Sequence, residues 1–391
     1  MPHSHIECIA YEINTFPETS RTSNRVGTRI SEHYTATYRG ASQPAIDVDW
    51  RIALMKEAIE AAHEASLNAY NPSVLKLFMA PEFYFRGATG AYDFDTYQDI
   101  VAKLRALVTK KKYQDWLFVF GSLLVTFELS PSAGTVDGVA VGRTTQRIQN
   151  VVLVQEGGTA GSSRTVVKEH MSGIDFVRES GGYKLNVKKT LALRARLPGI
   201  AGLECHTKRS LSSGLALGDV THVPAGKKRL LLGHTDNRGA GKERQKKPYD
   251  GRALFESRAV CYGVEVCLDH GVKRLRQSPV GKGNSYVQVQ LIPSAGMSIK
   301  KDAVVAMKGG IVFNCDGNRR SDVQVVDSEA RGDAECALQR VPVLNQQDLH
   351  RRGTNAIIAR QTFSTPDTSR LMVYRKTALP MARSRGTGLF A

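Results

Sequence analysis

The sequence predicts a mixed α/β sandwich with helices on the outside. Strand-like and helix-like segments alternate over roughly residues 5–125, and paired strands separated by Gly/Ser turns follow in the middle of the chain. In addition, three short apolar segments each run into a reactive residue: Glu82, Lys168 and Cys267. A strand that stops on a functional side chain is how α/β enzymes present chemistry at a sheet edge.

Residues 5–13 read as the first strand. Residues 14–48, polar and holding Gly, Pro, Ser and Thr, read as a loop. From about 50 to 70 the spacing of Trp50, Leu54, Ala58, Ala61 and Ala65 places one apolar stripe on a helix. Asn71-Pro72 stops it. The strand 74–82 follows, then a second helix over about 95–112. Lys110, Lys111 and Lys112 suit the negative end of that helix dipole. Residues 116–125 read as a strand. Residues 147–154 and 164–168 form a hairpin around Gly157-Gly158 and Gly161-Ser162-Ser163. Residues 181–250 have weak periodicity and read as an insertion. The strand to Cys267 comes next, then strands at 286–292, 308–314, 322–327 and 369–375. This divides the chain into one sandwich domain over 1–340, with a basic insertion at about 181–255, and a C-terminal extension over 341–391.

The 391 residues, 41% hydrophobic and 23% charged, suffice for a large buried core. No apolar run reaches the 18 or so residues that a membrane span needs. The N-terminus lacks a basic region followed by a long apolar one, so no signal peptide is expected. Six cysteines are too sparse for a disulfide scaffold, and no Cys-x-x-Cys or His-Glu-x-x-His occurs. A reducing, cytoplasmic setting is the expectation. The net charge is +17, and residues 181–259 hold 17 Lys/Arg against 6 Asp/Glu, a net of +11. Such a concentration suits either an acidic partner (nucleic acid, another polyanion, an acidic substrate) or a solvated surface insertion.

Carboxylate, ammonium and thiol together supply a base, a charge stabiliser and a nucleophile. Ala80-Pro81-Glu82-Phe83, Val167-Lys168-Glu169-His170 and Gly263-Val264-Glu265-Val266-Cys267-Leu268-Asp269 resemble, in order, the three signature segments of the nitrilase superfamily of carbon–nitrogen hydrolases. Gly121, Asn150 and Pro293-Ser294-Ala295 fall in that family's order as well. The resemblance covers about residues 5–330, the insertion excepted. It implies an α-β-β-α sandwich, a homo-oligomer, no metal or organic cofactor, and a small amide, carbamoyl or nitrile substrate. Cys267 would be the nucleophile and Glu82 the general base. Lys168 and the Leu268 backbone N–H would bind the oxyanion, and Glu179 would be the family's second glutamate. Two departures stand out. The stretch between Lys168 and Cys267 is longer than the family usually carries, and Leu268 replaces a common aromatic. His270, three residues after Cys267, offers another way to activate a thiol. The resemblance also admits an N-acyltransferase with the same triad, or a degenerate fold that binds a polyanion through the insertion. The latter would bind less tightly as salt rises.

Overall fold

Two β-sheets packed face to face carry the chain. The computed structural model describes residues 3–26, 29–66, 72–87, 91–136, 139–168, 220–223, 253–277, 287–328 and 335–381. Among these, the first sheet is built on β1 (His5–Glu12), β4 (Val74–Met79), β5 (Trp116–Val136), β6 (Val139–Glu156), β7 (Ser163–Val167) and β8 (Val220–Val223). On its other side stand β15 (Val343–Asp348), β16 (Arg370–Tyr374) and β17 (Thr377–Ala378). The strand order is β15-β16-β1-β4-β5-β6-β7-β8, with β17 also on β1. The second sheet comprises β9 (Leu254–Ser257), β10 (Val260–Val264), β11 (Val289–Ser294), β12 (Ile311–Asp316), β13 (Asp322–Ser328) and β14 (Ala337–Arg340), in the order β14-β13-β12-β11-β10-β9.

The period-2 pattern of each strand divides its side chains between two cores. Along β1 and β4, Ile6, Cys8, Ala10, Leu75, Leu77 and Met79 pack against Tyr262, Val264, Leu291 and Phe313 of the second sheet. Ile9, Tyr11 and Phe78 face the other way, against helices α1 (Pro44–Ser66), α2 (Phe94–Val108) and α4 (Gly353–Thr362). The outer face of the second sheet is covered by the loop around Ile299–Ala306, with the short α3 (Leu268–Gly271) at the strand ends. Among the described residues, no helix is long and apolar enough to cross a membrane.

Several elements depart from expectation. Residues 14–48 contain a hairpin, β2 (Glu18–Val26) and β3 (Arg29–Thr37). Its β-branched content, with Thr19, Thr22, Val26, Ile30, Thr35 and Thr37, favours strands. Helix α1 begins at Pro44, a residue suited to a first helical turn because its missing N–H would be unpaired there anyway. Its buried face is centred on Val48, Leu54, Met55, Ala58, Ile59 and Ala62, while Trp50 stays half-buried. Helix α2 is capped by the Asp93 carboxylate, which accepts from the Thr96 N–H at 2.7 Å, and it stops at Val108. A separate 3-10 turn then places Tyr113 in the core, edge-on to Trp116. The expected hairpin of 147–154 with 164–168 forms between β6 and β7, but β5 runs past residue 125 to Val136, β6 begins at Val139, and these two strands pair as a second, longer hairpin. Strand β9 joins β10 through Arg258 and Ala259, both at positive φ, the geometry of a tight two-residue turn. Residues 343–378 close the first sheet, with β16 antiparallel to β1 and Ala359 and Phe363 of and after α4 in its helical core.

Strands β4 and β5 are parallel, and β5, β6 and β7 alternate in direction. So β7 runs the same way as β4, and Glu82 and Lys168 emerge at one edge of the first sheet. Parallel β10 and β11 end at the corresponding edge of the second.

Candidate active site

Glu82 lies three residues beyond the end of β4. The chain stays paired as far as Ala80, whose N–H donates to the Val119 carbonyl at 2.9 Å. It then turns, and the Glu82 N–H reaches the Ser294 carbonyl at 3.3 Å. Phe83 takes a positive φ of 62°, and its N–H donates to the Ser122 hydroxyl at 2.8 Å. This turn presses on β5 at Gly121, itself at φ +71°, where a Cβ would sit 2.2 Å from the Pro81 carbonyl oxygen. Glycine is required there on both counts.

Lys168 follows β7 directly. Its N–H donates to the Asn150 carbonyl on β6 at 2.8 Å, and its Nζ reaches Glu82 Oε1 at 2.8 Å. The Asn150 side chain donates to the same oxygen at 2.9 Å. Glu82, Lys168 and Asn150 are all fully buried. The ammonium also stands 5.6 Å from the centre of the Phe83 ring, within reach of its π face.

Cys267 arrives from the second sheet. The Glu265 N–H pairs with the Leu291 carbonyl at 3.0 Å and the Cys267 N–H with the Pro293 carbonyl at 3.1 Å. Successive carbonyls of β11, those of Pro293 and Ser294, thus hold the backbones of Cys267 and Glu82. At Cys267 the chain leaves the strand with φ 47° and ψ −100° and enters α3. A non-glycine residue in so sparsely populated a conformation stores roughly 1–3 kcal/mol of strain, which the surrounding structure must hold. Burial pushes the Cys267 thiol well above its ordinary range, and the Glu82 charge adds to the effect. Lys168 and the Ala295 backbone pull the other way, and the thiol shares a hydrogen bond with Glu82. This direction favours a thiol over a preformed thiolate beside Glu82. Leu268 is the first residue of α3, a position whose N–H has no partner within a helix.

The structure brings Glu82, Lys168 and Cys267 together from three strand ends, with Leu268 at the start of the turn. Glu179 lies outside the described residues. His270 is buried but is not the thiol's partner. Its Nδ1 lies 2.7 Å from Glu265 Oε2, and its Nε2 accepts from the Lys300 N–H at 2.9 Å. From the sequence, Asn150 stands out only as a family match, and Glu265 does not stand out as a functional residue at all. An acid inside the apolar run Val260–Val266 was the available signal, since buried acids are rare unless paired. Among the described residues, no group of three or more His, Cys, Asp or Glu could hold a metal ion. Chemically, a carboxylate bonded to a thiol can take its proton, and a buried ammonium beside both can stabilise a developing oxyanion.

Neither protein-family profiles nor curated proteins give a match to the chain. Among solved structures, it is similar to an amidase from Nesterenkonia sp., with 11% identity and a TM-score of 0.31 over 88% of this chain and 92% of that one. It is also similar to a mutant of that amidase in complex with butyramide, at 10% identity and a TM-score of 0.32 over 86% and 89% of the two chains. A further mutant, described as from the nitrilase superfamily, is 11% identical, with a TM-score of 0.30 over 86% and 90%. At these scores the functional reading rests on the site's own geometry.

Proposed function

We propose that this protein is a thiol-dependent hydrolase of non-peptide carbon–nitrogen bonds, acting on a small amide, carbamoyl or nitrile substrate. The observation that supports it is the convergence of Glu82, Lys168 and Cys267 in one buried cluster. For an amide, Cys267 Sγ attacks the carbonyl carbon as its proton passes to Glu82. The carbonyl oxygen becomes an oxyanion between Lys168 Nζ and the Leu268 N–H. Collapse breaks the C–N bond, and Glu82 returns the proton to the departing nitrogen, leaving a thioester on Cys267. Water, deprotonated by Glu82, then attacks the thioester. The acid leaves, and the proton returns to the sulfur.

One catalytic carboxylate serves both half-reactions, so nearby charge must favour neither proton position too strongly. Lys168 answers this by lying beside both the base and the nucleophile. The test is release of ammonia or amine from a panel of short aliphatic amides, ω-amido acids, carbamoyl compounds and nitriles. Turnover that is lost in Cys267→Ala supports the reading. Turnover that survives Cys267→Ala, or an inert wild type across the panel, contradicts it.

A further inference from the structure

We propose that Glu265 and His270 are positioning residues that clamp the Cys267 turn, an inference that rests on the catalytic reading of Cys267. Glu265 stands two residues before the strained cysteine and His270 three after it, and the two side chains are 1% and 0% exposed. Their contact at 2.7 Å closes a loop around Cys267. The same carboxylate reaches further along the chain, accepting from the Leu275 N–H on Oε1 at 2.6 Å. It also ties the turn to the second sheet, because Gln290 of β11 donates to Oε2 at 2.8 Å. Gln290 is fixed in turn by accepting from the Val305 N–H at 2.8 Å.

The hydrogen bonds select one tautomer. Lys300 offers a backbone N–H to His270 Nε2, so Nε2 is an acceptor and the proton sits on Nδ1, donated to Glu265. In this form, His270 is a neutral spacer with one donor and one acceptor. It links the loop at Lys300 to the carboxylate that precedes the nucleophile. Neither residue touches the reacting atoms. Their effect passes through the direction in which the turn aims the thiol at Glu82.

The tautomer makes the test specific, because glutamine can supply one donor and one acceptor whereas leucine supplies neither. Iodoacetamide labelling of Cys267 in the full-length chain at pH 7.5 is followed by mass spectrometry. His270→Leu and Glu265→Gln are expected to slow labelling by about ten- to a hundred-fold, the cost of a small misplacement of a reacting group. His270→Gln is expected to recover most of the rate. On a substrate from the amide panel, kcat should fall in the same order with KM little changed. A folded His270→Leu protein that labels as fast as wild type overturns the clamp alone. A wild-type Cys267 no more reactive than Cys8 overturns the catalytic reading, and the clamp with it. If the variants fail to fold, the 15N shifts of His270 in the wild type decide. Protonated Nδ1 with bare Nε2 is expected, and the opposite tautomer overturns the proposal.

Discussion

Lys168 Nζ stands 2.8 Å from Glu82 Oε1, and both side chains are fully buried. This ion pair sits at the centre of the site with no bulk water to screen it. Removing one partner therefore leaves the other as a buried charge. Lys168→Met is expected to cost about 3–5 kcal/mol of stability. The charge-free double variant Lys168→Met/Glu82→Leu should be less destabilised than the sum of its singles. Urea unfolding of the four proteins of this cycle measures the coupling.

Gly121→Ala tests how the base is held. The new Cβ would meet the Pro81 carbonyl at 2.2 Å, and φ +71° is unfavourable for alanine. A loss of roughly 2–4 kcal/mol is expected, with slower labelling of Cys267 because the Glu82 turn must move. Gly353 is the control. Its φ is +68°, but a Cβ added there would meet nothing within 4 Å. Gly353→Ala should cost only the backbone term, about 1 kcal/mol, and leave Cys267 labelling unchanged.

The segments that matter most for this site were legible because strand ends announce themselves. Four consecutive apolar residues, Leu77 to Ala80, lead into Pro81, which cannot donate to a strand ladder, so Glu82 directly after it falls at the strand's end. The same logic of strand ends found Lys168 and Cys267. It missed what depends on cross-sheet geometry. That Pro293 and Ser294 hold Cys267 and Glu82 side by side follows from two sheets packing, which no local pattern encodes. The Glu265–His270 contact spans a turn whose path is set by an unusual backbone at Cys267, so its spacing matches neither strand nor helix periodicity. The β2–β3 hairpin was hidden by polar composition, and α4 by having only three buried residues, Ala356, Ala359 and Thr362.

Arg51 gives a second handle on the base loop. Its guanidinium pairs with Asp47, donates to the Tyr84 carbonyl at 2.6 Å and donates to the Arg39 carbonyl at 3.0 Å. Lysine keeps the charge but not the planar fork. Arg51→Lys is expected to lower stability by about 1–3 kcal/mol and to slow Cys267 labelling, since Tyr84 is two residues from Glu82. Thermal melts and labelling rates check the two effects separately.

Alkaline pH should destabilise the fold. Burial pushes the thiols of Cys8, Cys267 and Cys315 upward, so the folded chain holds these protons more tightly than the unfolded chain does. That contribution is fully present below the unfolded thiol value near about 8.5 and is lost as pH rises toward the native values. Between about pH 8.5 and 10, the unfolding free energy should fall by about 1.4 kcal/mol per pH unit for each such thiol. Urea midpoints across this range, in wild type and Cys8→Ala, measure the slope. The variant's slope should be shallower.

The most direct test of Glu82 as the base for Cys267 is the pH dependence of Cys267 alkylation in wild type and Glu82→Gln. A thiol and carboxylate sharing one proton react as a pair, so the wild-type rate should be high and nearly flat between about pH 6 and 8. Without the carboxylate, only the ionised thiol reacts. The Glu82→Gln rate should then be low at pH 6 and climb about tenfold per unit. Parallel profiles in the two proteins would contradict the account.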